Sequence, residues 1–405
     1  MASNSILNAE KIHISFFGCR NAGKSSLVNA FTGQSLSVVS DIKGTTTDPV
    51  KKAMELNPAG PVLIIDTPGY DDEGTLGNKR INKTYEIIAK TDFAILVIDS
   101  INGISQKDSE FLEILRNKSI PYLLVYNKAD LLNSIPNDEE NIIYASSLKR
   151  YNIEKLKTVV ASRIQEMIKL KSQKKIIADK LQKDDIVIMV IPIDESAPKG
   201  RLILPQQQTI REVLDTNSIL LCIQDTELED TLKVINKKPK LVITDSQVFE
   251  KVSSILPTDI MLTSFSILFA KYKGDLTALV KGAKKIDELQ NGDKILISEG
   301  CTHHRQCNDI GTVKIPSWLE NYTGKKFEYT FTSGGEFPQN LTDYALIIHC
   351  GGCMLNEQEM KSRIKNADLQ NIAIINYGIA IAYMNGILNR SLEIFPEIHD
   401  ILRSS

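Results

Sequence analysis

The chain of 405 residues carries 48 Lys and Arg against 50 Asp and Glu, a formal charge of −2, with 42% apolar and 24% charged residues. At about 100–200 residues per domain this predicts two to four domains, each able to bury a core. The composition excludes a disordered or collagen-like chain, and the charge balance supplies no global field for gripping nucleic acid or an anionic membrane.

The first residues, MASNSILNAEK, lack a basic stretch followed by an apolar one, so no secretory signal is expected. Residues 11–170 alternate short apolar runs with helical patterns. Runs at 12–17, 62–66, 93–98 and 122–126 read as buried strands of a mostly parallel α/β sheet. A lysine-rich helix tail follows, with Lys169, Lys171, Lys174, Lys175, Lys180 and Lys183, read as a solvated helix leading into a linker over 171–184. A second α/β pattern has strands at 186–193, 219–223 and 241–244, with helices near 210–214 and 228–235. A third has strands at 294–297, 327–331, 344–349 and 373–376. The apolar run 372–388 is broken by Asn376, Gly378, Asn385 and Gly386, and reads as a buried strand turning into a buried helix, not as a membrane span. The expected domains are therefore 1–170, 185–263 and 264–405. The boundary at 263 is soft, because composition does not change there.

Gly18-Cys19-Arg20-Asn21-Ala22-Gly23-Lys24-Ser25 follows the first strand and opens a helix, the context a phosphate-binding loop requires. Its glycines let backbone N–H groups curl around phosphates at a helix N-terminus. Lys24 is positioned for the β- and γ-phosphates and Ser25 for Mg²⁺, with Ser26 next in the helix. Asp66-Thr67-Pro68-Gly69 closes a strand: Asp66 suits the Mg²⁺ shell, and the Gly69 N–H suits the γ-phosphate. Asn127-Lys128-Ala129-Asp130 follows another strand. The Asp130 carboxylate can accept both N1–H and the exocyclic amine of guanine, which selects GTP over ATP. Ser146-Ser147-Leu148 is then expected to turn a backbone N–H toward the guanine oxygen. Lys24, Asp66 and Gly69 are the catalytic candidates among these. Gly18, Asn21, Ala22, Gly23, Asn127, Lys128, Ser146 and Ser147 complete the nucleotide site.

These segments resemble the translation-factor-type GTPases, in the branch containing TrmE and Era, over roughly the first 165 residues. That resemblance implies switch I at Gly44-Thr45-Thr46-Thr47-Asp48, with Thr46 on Mg²⁺ and in the catalytic set. It also makes Asn21 a candidate K⁺ ligand, or else a side chain that stabilises the loop. Tyr70 stands where Ras-like proteins carry the water-orienting glutamine, and Asp71, Asp72 and Glu73 read as a solvated acidic loop. Slow intrinsic hydrolysis, suited to a switch and K⁺-stimulated if Asn21 binds the ion, is expected.

Six cysteines in a chain this long are not a disulfide scaffold; a cytoplasmic protein keeping thiols for metal or redox chemistry is expected. Cys19 lies in the phosphate loop, and Cys222 is expected buried in an apolar strand. Cys301, Cys307, Cys350 and Cys353 cluster in the third segment with His303, His304 and His349. Cys350-Gly-Gly-Cys353 has the spacing that brings two thiolates to one metal centre, and Cys301 and Cys350 both follow strands. Three thiolates suit a [4Fe–4S] cluster with one exchangeable iron, or zinc completed by histidine; Cys307 is read as a bystander.

The CTHH and HCGGC motifs resemble those of the HydF family, the GTPases that mature [FeFe]-hydrogenase. So do Asp66-Thr-Pro-Gly-Tyr-Asp71-Asp72-Glu73-Gly74 and Pro192-Ile-Asp-Glu195-Ser-Ala-Pro198-Lys-Gly200. The resemblance implies a dimerising middle domain and a [4Fe–4S] cluster on Cys301, Cys350 and Cys353. His304 and His349 would lie at the fourth iron position or donate hydrogen bonds behind the ligands. It further implies a scaffold that carries a transient diiron precursor and works with radical-SAM maturation enzymes and apo-[FeFe]-hydrogenase, as a homodimer or higher oligomer. The competing readings are an RNA- or ribosome-associated GTPase with structural zinc, and an iron–sulfur redox enzyme with a regulatory GTPase domain. With 6% aromatics and no basic stripe in the third segment, neither a nucleic-acid nor a membrane partner is expected.

Overall fold

The computed structural model describes residues 11–34, 49–70, 84–193, 202–300 and 309–404. Its contacts divide into two compact units, Met1–Gln173 and Lys174–Ser405.

The first unit holds one six-stranded sheet. Its strands are β1 (Ile12–Phe17), β2 (Val50–Leu56), β3 (Gly60–Asp66), β4 (Phe93–Asp99), β5 (Tyr122–Asn127) and β6 (Ile142–Tyr144), in the order β2-β3-β1-β4-β5-β6. All neighbours are parallel except β2, which runs antiparallel to β3 at the edge. The central strand β4, FAILVID, is buried over its first six residues, which is why it reads as an apolar run, and β1 is buried along its whole length even at His13 and Ser15. Strand β2 was not expected, and its burial alternates along VKKAMEL as an edge strand with one covered face should. Helices α1 (Lys24–Thr32), α2 (Gln106–Asn117) and α3 (Ile153–Ser172) follow β1, β4 and β6 in the chain. Separate apolar clusters cover the two sheet faces, one around Phe16, Phe31 and Leu156, the other around Phe17, Phe111 and Leu115.

The second unit holds two four-stranded parallel sheets. One contains β7 (Ile186–Val190), β8 (Ile219–Ile223), β9 (Leu241–Thr244) and β10 (Met261–Ser264), in the order β10-β9-β7-β8. The other contains β11 (Lys294–Glu299), β12 (Glu328–Ser333), β13 (Leu346–His349) and β14 (Ala373–Asn376), in the order β12-β11-β13-β14. A single apolar core runs from Val187 and Ile243 through Leu268 and Val280 to Ile297 and Ile348, so the sheets share one interior. The helix between them, α4 (Phe265–Lys273), starts directly after β10 with Ser264 as its cap and buries Phe265, Ile267, Leu268, Phe269 and Ala270. A helix apolar around most of its circumference belongs inside a core, which accounts for the absence of a compositional break here.

The run 372–388 is β14 followed by α6 (Tyr377–Met384), with α5 (Glu357–Leu369) preceding it. Gly378 in α6 sits where a Cβ would come 2.3 Å from that of Ser266 in α4, so the two helices meet with no room for a side chain. Among the described residues, no helix is long and apolar enough to cross a membrane.

Candidate functional site

At the carboxyl end of the first sheet, four segments converge. The phosphate loop leaves β1 and enters α1 at Gly23, whose φ of 81° is left-handed and where a Cβ would lie 2.2 Å from Asn127 Nδ2. Only glycine satisfies both demands. Asn127, at the end of β5, donates through Nδ2 to the carbonyls of Ala22 (3.1 Å) and Gly23 (3.2 Å). Its Oδ1 accepts the N–H of Ser147 at 3.0 Å, so one buried side chain ties the phosphate loop to the 146–147 turn. Ser146 Oγ in turn accepts the N–H of Lys149 at 3.0 Å.

Lys24 is buried at the start of α1, and Ser25 Oγ donates to Asp66 Oδ2 at 2.7 Å, which puts the two Mg²⁺ candidates side by side. Thr67 Oγ1 donates to the Phe16 carbonyl at 2.7 Å, pinning the start of the Asp66–Gly69 segment to β1. Lys128, with φ of 63°, turns the chain into the single 3₁₀ turn Ala129–Leu131 that carries Asp130, half-buried. Lys128 Nζ pairs with Asp99 Oδ2 at 2.7 Å. Burial acts to raise the Asp99 pKa, but Lys128 and the N–H groups of Ile101 and Asn102 outweigh it and hold the carboxyl below its usual range. Ser26 and Gly69 lie in their expected segments, and Asn21 takes a left-handed φ of 62°. Thr46, with all of Gly44–Asp48, lies outside the described residues, as do Asp71, Asp72 and Glu73.

Tyr70 is buried, its ring stacked on Phe111 with centroids 4.4 Å apart, and its hydroxyl donates to Asp108. Burial, then Asp108, pushes its pKa up. Asp108 closes a reciprocal cap with Ser105 at the start of α2, and Cys19 Sγ lies 3.4 Å from its Oδ1. The residue after the DxxG glycine is thus an anchor between this segment, α2 and the phosphate loop. Asp108 and Phe111 were not singled out in the sequence, although Ser105-x-x-Asp108 before an apolar run is a capping signature.

The second cluster lies beyond β11 and β13. Cys350 Sγ accepts the N–H groups of Gly300 (3.0 Å) and Gly352 (3.4 Å), and Cys350 N donates to Ser298 O at 2.9 Å. Gly352 has φ of 62°, and a Cβ there would lie 2.5 Å from Met360 Sδ. Burial pushes the Cys350 thiol up to about 11, the two N–H groups opposing it and Cys353 and Glu299 adding to it. Burial also raises Cys353, against the charge of Lys273.

His349 is fully buried with both ring nitrogens engaged: Nδ1 lies 2.7 Å from Cys350 O, and Nε2 lies 2.9 Å from Arg363 Nη1. Burial, then the Arg363 charge, lowers its pKa to about 3, so the ring is neutral, with Nδ1–H donating and Nε2 accepting. The ring thus links the Cys350 carbonyl to the Arg363 guanidinium. Arg363 also reaches Ser298 Oγ (3.2 Å), Gly334 O (2.8 Å) and Glu359 Oε1 (2.9 Å). Glu299 is buried at the end of β11, and Tyr377 Oη lies 3.4 Å from its Oε1. Arg363, Glu359 and Glu299 carry no motif of their own; only the i,i+4 spacing of Glu359 and Arg363 hinted at a pair.

Cys301, His303, His304 and Cys307 lie outside the described residues, and among the described residues no three His, Cys, Asp or Glu side chains are grouped to hold a metal. The two described thiols nevertheless fit such a group: soft donors at x₂ spacing, with backbone N–H groups directed at a sulfur. Cys222 departs from expectation. It is exposed, on a strand of which no residue is fully buried.

Residues 176–274 match the hydrogen maturase F dimerization domain, and residues 277–394 match the hydrogen maturase F tetramerization domain, together more than half of the chain. The chain belongs to the hydrogen maturase F family. Its N-terminal residues 13–128 match the 50S ribosome-binding GTPase family, so this maturase carries a P-loop GTPase domain ahead of its oligomerisation domains. The tRNA modification GTPase MnmE of Nitrosomonas europaea is 35% identical over 156 residues, covering 37% of this chain and 34% of that protein. MnmE of Francisella tularensis subsp. novicida is 33% identical over 166 residues, covering 39% and 37%. The chain thus spans about a third of the length of these curated relatives. Among solved structures, Aquifex aeolicus Era bound to GDP.AlF4- aligns at 17% identity and a TM-score of 0.35, over 60% of this chain and 97% of that one.

Proposed function

We propose that this maturase is a GTP-hydrolysing scaffold that assembles the diiron subcluster of [FeFe]-hydrogenase and delivers it, while holding a [4Fe–4S] cluster of its own. The observation that carries the second half is the sulfur of Cys350, buried and receiving two backbone N–H groups beside Cys353. Such donors lower the cost of a thiolate in a buried site. Cys350 and Cys353, joined by Cys301, would hold the cluster, with His349 orienting the loop and His304 or the buried Glu299 near the remaining position. When bound, the cluster supplies an iron with one coordination position open to a further ligand. The diiron precursor is cargo, and radical-SAM enzymes and apo-hydrogenase are the partners of a cytoplasmic homo-oligomer.

In the GTPase domain, Lys24 and the loop N–H groups bind the phosphates, and Ser25 and Asp66, with Thr46, hold Mg²⁺. The Gly69 N–H reads the γ-phosphate, Asn21 offers an oxygen to K⁺, and Asp130 selects guanine. With Tyr70 committed to Asp108, no side chain at that position orients the attacking water, which supports slow hydrolysis. GTP therefore acts as a switch on partner contacts, not as a driver of cluster chemistry. The domain division 1–170, 185–263 and 264–405 belongs to this reading, the last two sharing a core.

Anaerobic purification tests it. Brown protein with iron and a reducible EPR signal, lost on replacing Cys301, Cys350 or Cys353 with alanine, is the expected result. Colourless protein with stoichiometric zinc would overturn it in favour of a structural-zinc GTPase. A Lys24→Ala variant should keep its iron and lose only the response to GTP in partner release.

A further inference from the structure

Strand β12 lies at one edge of the last sheet. Among the described residues its only strand neighbour is β11, which it pairs in parallel without a break from Lys294↔Glu328 to Glu299↔Ser333. On the far side of β11 is β13, which runs into the thiol loop of Cys350 and Cys353. Alternate N–H and C=O groups of an edge strand point away from its neighbour, and proteins blunt such edges with short strands, lysine, proline or bulges. β12 uses none of these devices. It is six residues long, EYTFTS, and its unbroken register leaves no bulge. The opposite edge strand, β14, has four residues and the helix Leu276–Ala283 packed against it.

The side chains of β12 suit a neighbour of the same sequence. Phe327, Tyr329 and Phe331 recur at every second position and form a row, with successive ring centroids 6.3 Å and 6.2 Å apart. Thr330 and Thr332 alternate with them on the other face, where Thr332 Oγ1 donates to Ser298 Oγ at 3.0 Å. Glu328 and Thr330 are exposed, and Phe331 is 37% exposed.

We propose that β12 pairs antiparallel with β12 of a second copy of this chain, joining two four-stranded sheets edge to edge. This rests on the reading of the maturase as a homo-oligomer. The strand lies within residues 277–394, which match the hydrogen maturase F tetramerization domain, and that makes another copy the occupant of this edge. A two-fold axis perpendicular to the sheet keeps each face on its own side, so a residue opposes one an even number of positions away. The two registers that pair most of the strand centre on Thr330 or on Phe331. The first sets Thr330 against its counterpart and Tyr329 against Phe331. The second sets Phe331 against its counterpart and Thr330 against Thr332. In both, threonine meets threonine, an aromatic ring meets another, and no Glu328 faces a second carboxylate, all favourable for cross-strand pairs. One six-residue seam is small for a stable interface. A closed assembly of four copies built on two-fold axes contains it twice, so the two seams act together.

The experiment is sedimentation velocity on the full-length protein over a concentration series, for the wild type, Thr330→Val and Thr330→Lys. A wild type that stays a single copy at every concentration refutes the oligomer reading itself, before β12 is tested. Given an oligomer, Thr330→Lys sets lysines against one another at the seam; it is expected to halve the largest species and weaken its association at least about tenfold. Thr330→Val leaves the backbone pairing intact and should keep the wild-type size. Unchanged size in Thr330→Lys would overturn the seam. Thr330→Cys and Phe331→Cys, each combined with Cys222→Ser because Cys222 is exposed, test the geometry directly. Mild oxidation should link two copies through whichever of the two lies on the axis, giving a band of twice the chain mass that Cys222→Ser alone lacks. An oligomer in which neither links would overturn the seam as well, and this measurement decides the matter even where Thr330→Lys does not fold.

Discussion

The phosphate loop and the thiol loop occupy the same kind of place, the carboxyl end of a parallel strand, and both offer backbone N–H groups to an electron-rich guest. They are built differently. The phosphate loop is one contiguous stretch running into a helix, and its long-range partner Asn127 braces a conformation that Gly23 already permits. The thiol loop is assembled from distant pieces: an N–H from Gly300 after β11, a histidine locked by Arg363 from α5, and an ammonium from α4. A site that recognises anions can rely on local dipoles. One that keeps sulfurs in a buried pocket needs outside charges and donors to hold them.

Substitutions at the two loops should therefore fail in different ways. The largest effect is expected from Cys350→Ala, which should abolish iron binding outright while leaving GTP affinity unchanged; iron assay and nucleotide titration on one sample separate the two. Loss of GTP binding in that variant would break the division.

Arg363→Met comes next. It removes the buried guanidinium that meets Glu359 Oε1, His349 Nε2, Ser298 Oγ and the Gly334 carbonyl, and should cost the second unit about 3–5 kcal/mol in chemical denaturation. Adding Glu359→Met should recover only the share owed to the ion pair, because the contacts of Arg363 with His349, Ser298 and Gly334 stay lost. Nucleotide affinity should not change in either.

Gly23→Ala sharpens the other side. A left-handed alanine carries strain of about 2 kcal/mol before its Cβ meets Asn127, so GTP binding should weaken by at least about tenfold with iron content unaffected. The smallest effect belongs to Tyr70→Phe. The ring stays stacked on Phe111 and the hydroxyl's contact with Asp108 is lost, so thermal unfolding of the GTPase unit should report about 1 kcal/mol.

Legibility in the sequence followed the same division. The segments 18–25, 66–69, 127–130 and 146–147 were readable as short consecutive motifs, and the structure gathers them at the end of one sheet. The Cys350–Cys353 spacing was readable for the same reason. The function of His349 stayed open between ligand and donor, since its ring nitrogens are taken by Cys350 O and by an arginine fourteen residues on. Strand β10 escaped notice because four residues beside an apolar helix carry no period of their own. Cys222 looked like a core residue because an apolar sequence, ILLCI, does not reveal whether other elements cover its strand, and here no residue of β8 is fully buried.

Consecutive residues thus determined the order of α/β elements, the GTP-binding segments and the pair of thiols, all properties set by local backbone geometry and short spacings. Tertiary structure alone decided that the second and third segments share a core, that Tyr70 turns toward Asp108, and that Lys273 and Arg363 flank the thiol loop. Those outcomes depend on burial and charge contributed by residues far apart in the chain, and no local pattern encodes which distant cation will meet which buried carbonyl.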